Sequence, residues 1–277
     1  MSRSERFSLP ASNRHEAVGG NGEPPPAGGS RLRGPFVLFA AICYLLLGSI
    51  WTGTAALLSR RLGQAAFTRW SRGALWLLGV RWRVHGEPQS GVLLAPNHRS
   101  WVDILALQAV VPTVFLSKHE VRNWPVVGWV AAALGTVFIG GPYGGADRVA
   151  EGLESSLARG RSVVVFPEGQ LNQEVGILPF ISRLFRIAQK ADTFVQPVAI
   201  AYKARSGGRT GLGDLVPERS FLRSAWWLAG HGVDLEIHFL EPIRAREWSR
   251  RELAEQARGQ VAQVIGAELS NRKQPRR

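Results

Sequence analysis

Gly91-Val92-Leu93-Leu94-Ala95-Pro96-Asn97-His98-Arg99-Ser100-Trp101-Val102-Asp103 decides how the chain is read. Residues 91–95 are an apolar run short enough for a buried strand. Pro96 stops it. A second apolar run, periodic at Trp101, Ile104, Leu105, Leu107 and Gln108, predicts a helix. His98 and Asp103 bracket the corner between the two. Corners of this kind, at the carboxyl ends of strands in an α/β sheet, are where ligands bind. Along one continuous helix, five residues would point the two side chains apart at about 100° per residue. They meet only if His98 precedes the helix and folds back. Ser100 is the N-cap candidate that places it there. Asp103 then falls in the first turn, within reach of one imidazole nitrogen, leaving the other nitrogen to take a proton from a hydroxyl. The helix end disfavours the imidazolium by ~0.3–1 kcal/mol. A contacting carboxylate favours it by more, so the Asp is expected to win and His98 to serve near neutral pH. The plain alternative is that Ser100-x-x-Asp103 is a capping box and its acid only satisfies a backbone donor.

Working outward, strand signals recur at residues 80–85, 113–116, 136–139, 162–166, 194–203 and 233–240. Helical patterns fall at 123–134, 147–159, 177–190 and 244–269. This alternation predicts an α/β fold: a mixed, largely parallel sheet with helices on both faces. The strand at 162–166 delivers Pro167, Glu168 and Gly169 to the same sheet edge as His98. There Glu168 is either a ligand for an acceptor hydroxyl or a turn carboxylate. Lys118, just past its strand, meets an anionic donor or stands solvated. The Gly-rich loop at 140–145 fits no phosphate-binding pattern and reads as a linker.

Residues 1–33 have nothing to bury and read as disordered. Within 34–80, the stretch 35–58 carries no charge and has the length a bilayer span requires, ~20 residues. Residues 64–80 interleave Trp and Phe with Arg69 and Arg72, which suits a headgroup zone. A membrane helix is therefore expected, with a buried core helix and an in-plane helix as alternatives. The folded domain is expected over 81–270, with a basic tail at 271–277. The 277 residues carry a formal net charge of +13, and all but four of the 34 basic residues are Arg. Such an excess points to an anionic membrane surface, an acidic carrier protein or nucleic acid. No basic–aromatic nucleic-acid motif accompanies it, so nucleic acid is not expected as a partner. Cys43 is the sole cysteine, so no disulfide framework is possible. No Cys/His metal spacing is found, and no metal is expected.

Asn97-His98-Arg99-Ser100-Trp101-Val102-Asp103, followed by Phe166-Pro167-Glu168-Gly169, resembles the glycerophospholipid acyltransferase family, which includes the lysophosphatidic acid acyltransferases. Lys118, Pro125, Gly128, Gly135, Phe138-Ile139 and Val195-Gln196-Pro197-Val198-Ala199-Ile200 fall in the family's order. The likeness covers about residues 81–241 and implies a glycerol-3-phosphate acyltransferase-like sheet domain. It also implies that His98 deprotonates an acceptor hydroxyl and Asp103 orients His98. The alkoxide would then attack an acyl thioester on coenzyme A or acyl-carrier protein, with no further cofactor. Substrate contacts are implied for Asn97, Arg99, Ser100, Lys118, Phe166, Pro167, Glu168, Gly169 and Gln170. Localisation at the inner membrane follows, with the site facing the cytoplasm.

Two departures bear on the acceptor. Where the family commonly has F-I-D-R, this chain has Phe138-Ile139-Gly140-Gly141. Where it has F-P-E-G-T-R, this chain has Phe166-Pro167-Glu168-Gly169-Gln170-Leu171. Both arginines that would grip a phosphate are missing, and such bonds are among the stronger polar contacts. Either Arg99, Arg148 or Arg183 replaces them, or the acceptor is not a 1-acylglycerol-3-phosphate but a lipid without that phosphate, such as lyso-ornithine lipid. A membrane-lipid-binding homologue with a decayed site is the non-catalytic alternative. Nothing in the pattern bears on oligomeric state.

Overall fold

The computed structural model describes residues 33–124, 127–140, 146–172, 176–203, 224–225, 227–228 and 231–266. Expectations at 1–32, 141–145, 205–214 and 271–277 lie outside those residues, as do most of 220–228 and the Arg148 side chain.

In order the elements are α1 (Arg33–Leu58), α2 (Arg60–Leu77), β1 (Val80–His85), β2 (Leu93–Pro96), α3 (Val102–Val110), β3 (Thr113–Lys118), α4 (His119–Arg122) and α5 (Val127–Leu134). There follow β4 (Val137–Ile139), α6 (Ala146–Ala158), β5 (Ser162–Val164), a 3-10 turn at Ser182–Phe185, α7 (Arg186–Lys190) and β6 (Phe194–Lys203). The last described elements are β7 (Val233–Phe239), β8 (Ile243–Arg244), a 3-10 turn at Ala245–Glu247 and α8 (Arg250–Ile265). The sheet runs β1-β7-β6-β2-β5-β3-β4, with β8 added to β6. β6, β2, β5, β3 and β4 are mutually parallel, β1 is parallel to β7, and only the β6–β7 and β6–β8 pairs are antiparallel. The mixed, largely parallel α/β sheet is as expected.

Strand alternation divides the core in two. Leu94, Val164, Val198, Ile200 and Tyr202 pack against α2 and α3 on one face. Leu93, Ala95, Val163, Val165 and Val195 pack against α6, α7 and α8 on the other. The central strands are buried on both sides, which is why they read as continuous apolar runs.

Several boundaries differ from the sequence pattern. The helix expected at 177–190 occupies only the 3-10 turn and α7. Pro179 disfavours helical backbone at Leu178. The flanking polar groups are also engaged elsewhere: the Leu178 N–H donates to Glu168 Oε2, and Arg258 donates to the Ile177 carbonyl at 2.7 Å. The helix expected at 244–269 starts at Ser249, which forms a reciprocal capping box with Glu252, and stops at Gly266 in the left-handed conformation. Within the expected helix at 123–134, α5 covers only Val127–Leu134.

α1 and α2 form an antiparallel-compatible pair bound by close contact and hydrogen bonds. Tyr44 donates to the Trp70 carbonyl at 3.0 Å, and the Trp70 indole donates back to the Tyr44 carbonyl at 3.2 Å. A Cβ at Gly48 would lie 1.8 Å from the Trp70 ring, so only glycine lets the indole in. Phe39, Leu46, Leu47, Ile50, Trp51 and Leu57 on α1 remain exposed. Among the described residues no helix is long and apolar enough to cross a membrane.

Candidate active site

β2 carries the chain to Pro96 at the carboxyl edge of the sheet, between β6 and β5. Pro96 has no N–H, yet strand pairing continues one step beyond it through a side chain. Asn97 Nδ2 donates to the Ile200 carbonyl at 3.0 Å, and the Ile200 N–H donates to Asn97 Oδ1 at 2.7 Å. Asn97 thereby welds the corner to β6. It is fully buried, with both ends of its side-chain amide used in the fold.

The loop then folds back, and His98 meets Asp103 with Nδ1 to Oδ2 at 2.9 Å. Asp103 is 0% exposed, while the His98 side chain is 15% exposed. Oδ2 also accepts from the backbone N–H groups of Arg99 at 2.6 Å and Ser100 at 2.8 Å. The capping and imidazole-orienting roles are therefore one arrangement: the same carboxylate oxygen closes the loop and holds the ring. α3 begins at Val102 with Trp101 as its N-cap, one residue later than the assignment to Ser100 implies, though Ser100 Oγ still accepts from the Val102 N–H at 3.3 Å. A carboxylate in the first turn of a helix is further stabilised by the helix dipole.

Because Asp103 is an acceptor, Nδ1 carries the hydrogen and neutral His98 presents its lone pair at Nε2. No described residue hydrogen-bonds that nitrogen. Phe166 stacks on the imidazole with ring centres 3.7 Å apart and planes inclined 21°, which fixes the ring's second degree of freedom.

The rest of the loop is braced from β5. Glu168 Oε1 accepts from the His98 N–H at 2.9 Å; Oε2 accepts from Asn172 Nδ2 at 2.9 Å and the Leu178 N–H at 3.0 Å. The Asn172 N–H donates to the His98 carbonyl at 2.8 Å. Glu168 is 1% exposed. In this arrangement both oxygens accept hydrogen bonds from within the fold. Burial pushes its carboxyl above the usual range, opposed by the three donors and by the Arg99 charge.

Arg99 is likewise buried. Its guanidinium donates to the carbonyls of Asn172 at 3.1 Å and Gly176 at 2.8 Å, clamping the loop that follows Glu168. Desolvation lowers its pKa, with Glu168 and Asp103 acting in the opposite sense. It therefore does not replace the missing phosphate-binding arginines. Pro167 is buried, and its carbonyl accepts from the Ile181 N–H. Gly169, Gln170 and Leu171 are the exposed rim. Gly169 sits at φ +72°, and a Cβ there would lie 2.7 Å from Ile181. Lys118 is exposed at the same sheet edge, two strands from β2, or roughly 10 Å at the usual strand spacing. Arg183 is exposed on the 3-10 turn.

Sequence reasoning missed two residues here. Tyr202 on β6 donates to Asp103 Oδ1 at 2.6 Å. Its only sequence signal is a polar tip at the end of the buried Val198, Ile200, Tyr202 series. Asn172, 3% exposed, follows Glu168 by four residues within a loop that has no periodicity. The structure also gathers donors that spacing could not: His85, Glu236 and His238, with ligand atoms within 4.8 Å of one another. They lie on β1 and β7, outside the His98 loop, and Lys203 Nζ already occupies Glu236 Oε1 at 2.6 Å.

Residues 81–201 match the family model described as Acyltransferase. The lyso-ornithine lipid O-acyltransferase of Pseudomonas aeruginosa is 38% identical over 197 residues, covering 70% of this chain and 76% of that protein. The protein of the same name from Brucella abortus is 34% identical, covering 72% and 81%. The 1-acyl-sn-glycerol-3-phosphate acyltransferase of Neisseria gonorrhoeae is 38% identical over 144 residues, covering 50% and 56%. Among solved structures, the 1-acyl-sn-glycerophosphate acyltransferase PlsC of Thermotoga maritima shares the fold, with a TM-score of 0.64 at 21% identity over 87% of this chain and 99% of that one. The chain belongs to the acyltransferase family that includes the lyso-ornithine lipid and 1-acyl-sn-glycerol-3-phosphate acyltransferases.

Proposed function

We propose that this chain transfers a fatty acyl group from an acyl thioester to the hydroxyl of a lysolipid, with His98 as general base and Asp103 as its orienter. The observation that carries the assignment is the buried Asp103 carboxylate 2.9 Å from Nδ1 of a partly exposed imidazole whose other nitrogen has no described partner. Nε2 takes the hydroxyl proton as the oxygen attacks the thioester carbonyl. The tetrahedral intermediate collapses, the C–S bond breaks, and the thiolate of coenzyme A or acyl-carrier protein leaves with the proton from the imidazolium. Asp103 stabilises that imidazolium and holds its tautomer. No cofactor beyond the thioester enters the scheme. His98→Ala should lower kcat by about 10²–10⁴ with little change in thermal midpoint. Full turnover by that variant would sink the assignment.

For the acceptor, a second observation favours a lipid lacking phosphate at the usual place. Arg99 is spent on two carbonyls, and the rim position after Gln170 is Leu171, 47% exposed. Two of the relatives with broad coverage are lyso-ornithine lipid O-acyltransferases. Parallel assays with lysophosphatidic acid and lyso-ornithine lipid test this, and equal use of both would refute it. The exposed apolar residues of α1 and the Arg-rich flank of α2 suit attachment to the inner membrane with the site facing the cytoplasm. Flotation with anionic vesicles, before and after removal of residues 1–58, measures that attachment.

A further inference from the structure

Asp103 is held from two directions. Its Oδ2 faces the His98 loop, while its Oδ1 faces the sheet and accepts a 2.6 Å hydrogen bond from Tyr202. We propose that Tyr202 is a positioning residue for the transfer: by donating to Asp103 Oδ1, it sets how strongly that carboxylate pulls on the His98 imidazole, and so the pH at which His98 becomes a base. The proposal rests on the reading of His98 as the general base.

The placement is built rather than incidental. The Asn97 amide locks the register of β6 by pairing with both backbone groups of Ile200. Tyr202 is two residues on and therefore on the same sheet face. Its ring is 6% exposed, in the core cluster that also holds Val102, Leu105 and Ala106 of α3. The motif asparagine thus fixes where the phenol lands. Burial, with Asp103 next, raises the phenol well above its ordinary range. Asp103 has no hydrogen to give as a carboxylate, so the phenol is the donor in this bond.

A hydrogen bond to a carboxylate draws off its charge density and lowers its proton affinity. Less charge on Asp103 stabilises the His98 imidazolium less. Tyr202 therefore keeps His98 in its neutral, proton-accepting form at lower pH than Asp103 alone would allow. Among the described residues the other charged groups around the pair are Arg99 and Glu168 on the adjoining loops, with Arg258 of α8 acting on Glu168. All three persist in Tyr202→Phe, so the difference from wild type isolates the phenol.

The test compares the full chain in detergent micelles, as wild type, Tyr202→Phe, His98→Ala and a form whose Tyr202 carries a ring fluorine. kcat and KM for lysolipid and thioester are measured from about pH 5 to 9, the span in which a histidine base titrates. Tyr202→Phe should move the acid limb of kcat/KM upward by roughly half a pH unit to one unit. kcat near neutral should fall roughly tenfold, the scale of one lost hydrogen bond to a charge, while both KM values stay within about twofold. A ring-fluorinated Tyr202, whose more acidic phenol is a stronger donor, should move the limb the opposite way by less. The limb's midpoint does not depend on how much protein is folded, so reduced yield leaves the readout intact. If Tyr202→Phe does not fold, the limb of the nearly isosteric fluorinated form decides. An acid limb unmoved in every folded variant, with activity tracking only the folded fraction, would reduce Tyr202 to a structural role and overturn the proposal. Full turnover in His98→Ala would instead overturn the general-base reading, and is told apart because it needs no change in Tyr202.

Discussion

Two histidine–carboxylate pairs adjoin the same sheet, and the two are held differently. His98 faces Asp103, which is 0% exposed and accepts from His98, Arg99, Ser100 and Tyr202. His238 faces Glu236 at 3.6 Å, beyond hydrogen-bond reach, and Glu236 is held by Lys203 at 2.6 Å. His238 also stacks against His85, ring centres 4.3 Å apart. Desolvation and the His85 charge lower its pKa, only partly offset by Glu236. The contrast teaches that proximity to a carboxylate is not enough. What suits His98 to the proposed role is an acid already engaged by several donors, beside an imidazole whose second nitrogen has no described partner.

The largest effect expected of this contrast is at Asp103. Asp103→Asn keeps the shape but removes the charge that holds Nδ1–H. Turnover should fall by about 10²–10⁴ while the chain stays folded. Glu236→Gln should leave kcat within about twofold, since nothing at His238 depends on that charge for a proton transfer. Similar losses at both sites would erase the distinction.

Glu168 sharpens it from the side of the fold. Three N–H donors converge on its two oxygens. In Glu168→Gln one of those oxygens becomes an NH2 facing an N–H, an uncompensated buried polar contact costing about 1–3 kcal/mol. Thermal midpoint and kcat should fall together, with the lysolipid KM little changed. If KM rose alone, Glu168 would be touching the acceptor rather than bracing the loop.

How much of this was legible beforehand follows from the range of the interactions. β1 and β6 were readable to the residue, because strand alternation and buried apolar runs are local signals. The His98–Asp103 meeting was readable too, since five residues and an N-cap candidate leave one geometry for it. Tyr202, 99 residues from Asp103, was not; its role exists only once the Asn97 amide fixes the β6 register. Arg99 and Glu168 were legible as members of the motif but not as braces, because their partners are carbonyls and N–H groups of a nonperiodic loop. The helix expected at 177–190 failed for the same reason: periodicity cannot see that Ile177 and Leu178 have spent their backbone groups on Arg258 and Glu168.

The acceptor rim gives a smaller effect. Leu171 is 47% exposed beside Gly169 and Gln170. Leu171→Arg restores a cation where the family pattern places one. A charge-assisted bond to phosphate there should raise kcat/KM for lysophosphatidic acid by roughly tenfold, with lyso-ornithine lipid use unchanged or lower. No change in the ratio of the two acceptors would mean that the headgroup is read elsewhere.

The smallest effect lies at the second histidine pair and is one of stability. The Lys203 hydrogen bond holds the Glu236 carboxyl below its ordinary value of 4.5. A depressed acid contributes stability above its unfolded pKa and loses it as pH falls through the folded one. His238 is also shifted down, from 6.5, so the unfolded chain takes up its proton first and stability falls as pH drops below that value. The two groups act in the same direction in successive windows, His238 below about 6.5 and Glu236 below about 4.5. The Glu236–Lys203 pair is partly solvated, so its worth is about 0.5 kcal/mol. Denaturant midpoints for wild type and Glu236→Gln should therefore differ by that little at pH 7 and converge toward pH 4. His238→Gln should flatten the loss of stability between about pH 6.5 and 5, while the acid limb of turnover stays where His98 sets it. A shift of that limb by His238→Gln would mean that the two pairs are coupled through β6 and β7 and that the sheet does not insulate one from the other.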